Sequence, residues 1–98
     1  MFEFEWESEK ERLIAKKHNI SMDEVKRIFD DPFRIMQYDR AHSGLEERWQ
    51  TLGKANKVLF AVFTERGAKT RIITARKATS EERSVYNGES EKGNWFIP

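Results

Sequence analysis

The stretch from Lys69 to Tyr86 reads Lys-Thr-Arg-Ile-Ile-Thr-Ala-Arg-Lys-Ala-Thr-Ser-Glu-Glu-Arg-Ser-Val-Tyr, and it indicates a strand that runs directly into a helix. Its β-branched centre, from Ile72 to Thr74, is typical of a β-strand. Thr79, followed three residues later by Glu82, predicts a capping box and therefore the start of a helix. A strand and a helix joined this closely indicate a domain that mixes both kinds of element.

Positive charges flank this strand, and they admit two interpretations. The cations are Lys69, Arg71, Arg76 and Lys77. Together with the free N–H groups and the dipole of the helix start, they would favour a bound anion such as phosphate. Charged side chains also protect an exposed sheet edge from pairing with other chains. These residues alone leave both interpretations open.

Length and composition limit the possible classes of protein. The chain has 98 residues, enough for one domain with a modest core. Its 18 Lys and Arg residues nearly balance 17 Asp and Glu residues, for a net charge of +1. Such balance excludes a polycation that coats nucleic acid through charge alone, but it leaves room for a local basic patch.

The lack of cysteine and of long apolar runs limits the kinds of site and location that the protein can have. The chain has no cysteine, which excludes disulfides, thiol nucleophiles and cysteine-based zinc sites. No apolar run is long enough to span a membrane, and the acidic start is unlike a signal peptide, so we expect a cytoplasmic protein. We predict one domain over residues 1–88 and a tail over residues 89–98. The bulky residues at 95–97 of that tail are expected to fold back onto the sheet.

The first part of the chain predicts a strand and a helix. Aromatic residues alternate with glutamates over residues 2–6, which is the period of a half-buried strand. Ser8 and Glu11 have the spacing of a capping box, and they predict that a helix begins there and ends at about residue 17. Leu13 and Ile14 are its expected buried stripe.

A second helix follows a turn at Asn19, which can adopt the left-handed conformation that ends a helix. Ser21 and Glu24 form another predicted capping box. The residues Met22, Val25, Ile28 and Phe29 then lie on one helical face and predict core packing. The sequence Asp30-Asp31-Pro32 ends this helix, because the residue before proline avoids the α conformation.

The rest of the chain predicts short strands joined by turns. Strands are expected over 33–38, 46–52 and 58–63, before the strand that starts at Lys69, and the nearly continuous apolar run at 58–63 predicts the sheet centre. A last helix runs from Ser80 to about Tyr86. The sequence therefore predicts an α+β domain: an N-terminal strand, two helices, an antiparallel sheet of about four or five strands, and a short C-terminal helix.

Motifs along residues 1–87 resemble the BrnT family, the toxin components of bacterial type II toxin–antitoxin systems. In the first half they are Glu5-Trp6, Lys17 to Glu24, Val25 to Phe29 and Asp31-Pro32. In the second half they are Glu47-Arg48, Gly53, Arg71 to Thr79, Glu82-Arg83 and Tyr86. The sequence departs from the family at Asn19, where glycine is usual, although asparagine supports the same left-handed turn.

The resemblance implies a compact RelE-like fold and a ribonuclease that inhibits translation and growth by cutting RNA. It also implies neutralisation by a BrnA-type antitoxin with a ribbon-helix-helix domain. The joint complex would repress its own operon, so DNA would be contacted only through the antitoxin. The alternative is a toxin-like module that has lost catalysis and serves only in the repressor complex. A phosphate or nucleotide sensor would use the same cation cluster.

Candidate site residues combine the resemblance with the chemistry of RNA cleavage. Such an enzyme needs a base for the ribose 2′-OH, an acid for the leaving oxygen and cations for the phosphate. No acidic cluster has metal-ligand spacing, so neither a metal nor another cofactor is expected. The catalytic candidates are Lys17, His18, Glu47, Arg48, Arg71 and Arg76. The candidates for RNA contact are Lys77, Arg83 and Tyr86.

Several of these assignments have a purely structural alternative. Arg71 and Arg76 are five residues apart, so on a regular strand they would lie on opposite faces. They can reach one site only if the strand has a bulge or ends before Arg76. Glu47 and Arg48 also alternate, so only one is expected to act, unless they form an ordinary surface ion pair. Lys17 and His18 also have a structural explanation, because positive charges are favourable at a helix C-terminus whether or not they take part in catalysis.

Two further side chains remain open at this point. Tyr86 shares a helical face with Arg83, three residues before it, and it is expected either to pack in the core or to stack on an RNA base. His42 lies in a polar loop, where we expect it to be solvated and without a partner.

Overall fold

The structure is a computed structural model, and it describes residues 2–89. Its elements follow the order β1 (Glu3–Glu5), α1 (Ser8–His18), α2 (Met22–Ile28), β2 (Ile35–Tyr38), β3 (Trp49–Lys54), β4 (Val58–Arg66), β5 (Lys69–Lys77) and α3 (Ser80–Tyr86). The α+β class and the order of helices and strands are as predicted. Strands β2 and β3 begin two and three residues later than expected, respectively. The predicted fold-back at residues 95–97 lies outside the described residues.

The five strands form one sheet in the order β1-β5-β4-β3-β2. Strands β2 to β5 pair as an antiparallel meander, as predicted. Strand β1 pairs in parallel with β5, so the sheet is mixed rather than wholly antiparallel. Strand β4 is central, and residues 58–64 are all buried, as the apolar run predicts. No helix among residues 2–89 is long and apolar enough to cross a membrane.

The core has one cluster on each face of the sheet. Helices α1 and α2 cover the first face, where Ile14, Val25 and Phe29 pack with Leu59 and Phe63 of β4. Helix α3 lies on the second face, where the cluster comprises Leu52, Val58, Phe60, Val62, Ala78 and Val85. This helix is only seven residues long, so it is too short to cover the whole second face.

Two of the three predicted capping boxes are confirmed. The Ser21 hydroxyl accepts a hydrogen bond from the Glu24 N–H, and the carboxylate of Glu24 accepts one from the Ser21 N–H. The same reciprocal pair joins Thr79 and Glu82. The predicted box at Ser8 is wrong, because α1 begins one residue earlier than that box requires, with residue 7 as its N-cap.

Two other local predictions about α1 have different outcomes. Asn19 adopts the expected left-handed conformation, with φ of 55°. Leu13 is wrongly predicted to be buried, since it is 48% exposed. Ile14 is the one buried residue of this helix, because α1 meets the sheet along a narrow line. The Glu11 carboxylate, expected to cap the helix, instead accepts a hydrogen bond from the Trp6 indole at 2.9 Å.

The loop after β2 corrects the expectation for His42. Its Nδ1 lies 3.1 Å from Oδ1 of Asp39, a carboxylate that is only 1% exposed. The backbone N–H of His42 also donates to this carboxylate, at 3.2 Å. His42 therefore helps to hold a buried acid in place, and it has a partner that the sequence does not reveal.

A bulge in β5 decides which side chains share a face. Val62 of β4 lies opposite Thr74, while its neighbour Phe63 lies opposite Ile72. Ile73 is therefore an extra residue in β5, and alternation reverses at this point. A bulge is one of the two conditions under which Arg71 and Arg76 are expected to reach one site.

Helix α3 is joined to the turn after α2 by a partly buried polar contact. The hydroxyl of Tyr86 donates a hydrogen bond to Asp31, which also accepts from the backbone N–H groups of Phe33 and Lys54. Burial would raise the pKa of Asp31, but these hydrogen bonds outweigh it and lower the pKa. Burial and the bond to Asp31 raise the pKa of Tyr86 to about 12. Tyr86 packs against the second core cluster, as one of its two interpretations predicts.

Replacing Tyr86 with phenylalanine should lower the free energy of unfolding by about 1–3 kcal/mol at neutral pH, because Asp31 loses its side-chain donor. In the wild type, stability from this phenol is complete below pH 10, its ordinary pKa. It declines toward pH 12, since the unfolded chain ionises first. Urea unfolding at pH 8 and pH 11 should show the difference between the two proteins shrinking. A difference that stays constant would contradict this account.

Candidate active site

A charged cleft of about 300 Å³ opens at the edge of the sheet where β1 ends. Four of its charged side chains are cations and two are carboxylates, so its lining is net positive. The lining residues are Glu7, Lys10, Glu46, Arg48, Arg66, Arg71, Ile72 and Ile73. This cleft, called the arginine cleft below, brings together side chains from four separate parts of the chain.

The fold explains why these parts meet. Strand β1 pairs only with residues 69–71 of β5, so β5 continues past the end of β1. Helix α1 starts beside this point and contributes Lys10. Across the sheet, the Thr64 hydroxyl of β4 donates to the Glu47 carbonyl at 2.6 Å, which ties the loop before β3 to β4. That bond holds Glu46 and Arg48 on either side of Glu47 at the mouth of the cleft.

Glu46 and Arg66 form a bidentate salt bridge within the cleft. The Oε2 atom of Glu46 accepts from Nε of Arg66 at 2.7 Å, and Oε1 accepts from Nη2 at 3.3 Å. This hydrogen bonding lowers the pKa of Glu46, and the charges of Arg66, Arg48 and Arg71 lower it further. The same bond to Glu46 raises the pKa of Arg66. Both groups are therefore charged throughout the neutral range.

The two other arginines differ in their partners. Arg71 has ion pairs of 3.6 Å with Glu5 and with Glu7, and its side chain is 20% exposed. Arg48 is partly buried, and its guanidinium makes no ion pair or hydrogen bond within residues 2–89. An anion that enters the cleft would thus meet one unpaired guanidinium and a second whose contacts are long enough to exchange.

A smaller hollow of about 150 Å³ adjoins the arginine cleft along α1. It shares Lys10 with the cleft, and its other lining residues are Leu13, Ile14, Lys17, His18 and Thr74. Lys10 and Lys17 are two helical turns apart, which places them on one face of α1. The sequence-predicted candidates Lys17 and His18 therefore lie beside Arg48 and Arg71 rather than among them.

A family model described as "Ribonuclease toxin, BrnT, of type II toxin-antitoxin system" matches residues 6–82. The chain belongs to this family. Membership of a toxin–antitoxin family implies that an antitoxin is its partner. No match was found among curated proteins.

The fold is also similar to a solved BrnT structure. The crystal structure of the ribonuclease toxin BrnT from Brucella abortus superposes with a TM-score of 0.64 at 17% sequence identity. The similarity covers 82% of this chain and 100% of that chain. At this level of identity the similarity shows a shared fold, and the site must be argued from this chain's own residues.

Most of the remaining site candidates of this BrnT family member lie at the end of β5 or on α3. The bulge brings Arg76 to the same face as Arg71, but Arg76 lies opposite Phe60 and Arg71 opposite Thr64, four residues apart on β4. Both terminal nitrogens of Arg76 donate to Glu82, at 2.8 and 3.0 Å, and its guanidinium lies 4.1 Å from the Phe60 ring centre. Both terminal nitrogens of Arg76 are thus already used in hydrogen bonds within the protein.

None of the RNA-contact candidates lines the arginine cleft. Arg83 donates to the Ala78 carbonyl at 3.1 Å, and Tyr86 is bound to Asp31. Lys77 is exposed at the end of β5. Glu47 is exposed beside the cleft and gives it only the backbone anchor described above.

Sequence reasoning missed four charged residues of this cleft, and two of them carried a signal; the four are Glu7, Lys10, Glu46 and Arg66. Glu46 is two residues before Arg48, which is the spacing of side chains on one face of an extended segment. Lys10 is seven residues before Lys17, a spacing that indicates a shared helical face. Arg66 carried no such signal, because its place depends on how the β4–β5 hairpin is built.

The donor set of the cleft suits a phosphate better than a metal ion. Guanidinium groups bind phosphate oxygens through paired N–H donors and cannot serve as metal ligands. Within residues 2–89, no three histidine, aspartate or glutamate side chains are grouped as metal ligands would be. The geometry therefore offers positive charge for a phosphate directly from side chains.

Proposed function

We propose that this BrnT family member is a metal-independent endoribonuclease that cleaves RNA in the arginine cleft. The observation that carries the proposal is the unpaired Arg48 guanidinium, which faces a cleft that Lys10, Arg66 and Arg71 also line. By cutting RNA the protein would inhibit translation and growth. Its neutralising partner would be a BrnA-type antitoxin with a ribbon-helix-helix domain.

The chemistry is a transfer of the phosphate from one ribose oxygen to another. The 2′-oxygen attacks the adjacent phosphorus, and the bond from phosphorus to the 5′-oxygen of the next nucleotide breaks. Negative charge increases on the phosphate oxygens as the five-coordinate transition state forms. Arg48 and Arg71 would stabilise that charge with forked N–H donors. Electrostatic stabilisation of this kind is usually the largest single contribution to lowering the barrier.

Residues along α1 would bind the RNA on one side of the scissile phosphate. Lys10 borders both the cleft and the adjoining hollow, and Lys17 and His18 line the hollow. These side chains would contact neighbouring phosphates, whose charge supplies most of the affinity for nucleic acid. Lys77 at the end of β5 and Arg83 and Tyr86 of α3 would contact the RNA only at nucleotides farther from the scissile phosphate. We favour a single-stranded substrate, because its backbone can adopt the geometry for in-line attack.

One observation supports the alternative of an inactive module in a repressor complex. Arg66 and Arg71 already pair with glutamates of the chain itself. If these pairs are permanent, the cleft would have too little free positive charge to bind RNA. The protein would then act only with its antitoxin on DNA, and it would bind that antitoxin without cleaving RNA.

Incubating the purified, antitoxin-free protein with a defined single-stranded RNA in excess EDTA should give cleavage. The products should carry a 2′,3′-cyclic phosphate and a 5′-hydroxyl, because the nucleophile is the ribose oxygen. The same RNA with 2′-O-methyl groups should remain intact, and mass spectrometry of the fragments distinguishes the ends. Cleavage that EDTA abolishes would disprove metal independence. An absence of cleavage by a protein that still binds its antitoxin would favour the repressor module.

A further inference from the structure

The arginine cleft holds one carboxylate that is surrounded by guanidinium groups. Both carboxylate oxygens of Glu46 accept hydrogen bonds from Arg66. Arg48 and Arg71 lie close enough to act on it through their charges. These two arginines are also the proposed phosphate ligands. A phosphate bound between them would therefore bring its own ribose close to this carboxylate.

The Glu46 carboxylate is both fixed and accessible. Its fork with Arg66 fixes its orientation, and its side chain is 35% exposed. An ionised carboxylate has about four lone-pair sites, and Arg66 occupies two of them. One face of the group thus remains able to accept a proton from a bound molecule.

The other carboxylates near the cleft are less suited to this role. Glu7 forms an ion pair with Arg71 and also acts on Arg66 through its charge, and its side chain is 63% exposed. Glu5 belongs to β1, pairs with the same arginine and does not line the cleft. Glu47 is exposed, and the structure places its carbonyl rather than its carboxylate against β4. Glu46 is the carboxylate of the described residues that all three cleft arginines face.

We propose that Glu46 is the general base that removes the proton from the ribose 2′-OH, an assignment that rests on the proposed function. As the proton moves to Glu46, the 2′-oxygen forms its bond to phosphorus and the bond to the 5′-oxygen breaks. The leaving oxygen takes a proton from solvent, and Glu46 returns its own proton to solvent after product release. Arg66 is then a positioning residue, since it orients the base.

The test compares Glu46→Gln with Glu47→Gln, a matched change one residue away. Glu46→Gln should lower kcat at least 100-fold, the usual range for a general base. Its affinity for 2′-O-methyl RNA should be unchanged or tighter, because a negative charge is lost. Glu46→Asp should recover part of kcat, because it keeps a carboxylate. Glu47→Gln should cleave at the wild-type rate, and circular dichroism would show that all variants are folded.

The pH profile separates a base from a merely structural glutamate. The charged groups that act on Glu46 are Arg66, Arg48 and Arg71, and Glu7 and Lys10 also line the cleft. Because the pKa of Glu46 lies below 4.5, kcat/KM of the wild type should fall only below that pH. Glu46→Gln should lose this acid limb while keeping its low plateau.

Two outcomes would overturn the assignment while the proposed function stands. One is a wild-type protein that cleaves RNA and a Glu46→Gln variant with an unchanged kcat. The other is a rate lost with Glu47→Gln instead. A wild type that cleaves no RNA in any condition would contradict the proposed function itself, and with it the role of Glu46.

Discussion

Replacing Arg71 with alanine should lower kcat/KM for RNA cleavage about 100- to 1000-fold, the loss typical when one donor to a developing oxyanion is removed. Arg71 is expected to contact the phosphate together with Arg48, so its removal raises the barrier more than it weakens substrate binding. Arg71→Lys should lose less, because it retains the charge but not the forked donors. Initial rates on a defined RNA measure both effects.

The fold should tolerate this change. The ion pairs of Arg71 are 3.6 Å long and partly exposed, and pairs of that kind contribute at most about 1 kcal/mol. Arg12→Ala is the matched control, because Arg12 is exposed on α1, pairs within residues 2–89 with Glu9 alone and lies outside the cleft. If Arg71→Ala and Arg12→Ala cleave RNA at the same rate, the arginine cleft is not where the phosphate binds.

Replacing Glu82 with alanine should lower the free energy of unfolding by about 3 kcal/mol, because it removes a buried carboxylate and leaves the partly buried Arg76 charge without its partner. Glu82 is only 1% exposed, and it accepts two hydrogen bonds from Arg76 and one from the Thr79 N–H at 2.9 Å. The variant would leave the Arg76 guanidinium against Phe60 without a counterion. Urea unfolding followed by circular dichroism measures the change.

Glu81→Ala is the matched control for this stability effect. Glu81 is exposed in the same first turn of α3, so its loss removes only a favourable interaction with the helix dipole. We expect the control to cost about 0.5 kcal/mol. A Glu82→Ala variant no less stable than Glu81→Ala would show that the pair with Arg76 does not hold α3 to the sheet.

Local sequence signals predicted the elements that local physics controls. The reciprocal bonds of Thr79 and Glu82 depend on residues three apart, so their spacing alone was sufficient. The apolar run at 58–63 similarly predicted the central strand. The box at Ser8 failed although its spacing was correct, because α1 begins one residue earlier and the Glu11 carboxylate instead accepts a hydrogen bond from the Trp6 indole.

The candidate site was harder to predict than the fold, because its geometry depends on features that the alternation of residues along a strand does not reveal. The extra residue at Ile73 brings Arg71 and Arg76 to one face, yet nothing in the β-branched run shows where a bulge will form. Arg76 is nevertheless paired with Glu82 near α3, whereas Arg71 lines the cleft. In the loop before β3, the bond from Thr64 to the Glu47 carbonyl ties the loop to β4, and Glu46 rather than Glu47 lines the cleft. Such a contact spans 17 residues and has no local signature.

The most direct test of the central claim is to locate bound RNA by NMR. A short 2′-O-methyl RNA lacks the nucleophile, so it would remain intact during titration into the isotope-labelled protein. We predict that the largest shifts fall on the guanidinium signals of Arg48 and Arg71 and on backbone amides near Lys10. Shifts confined to Arg76, Lys77 and α3, with none in the arginine cleft, would contradict the account.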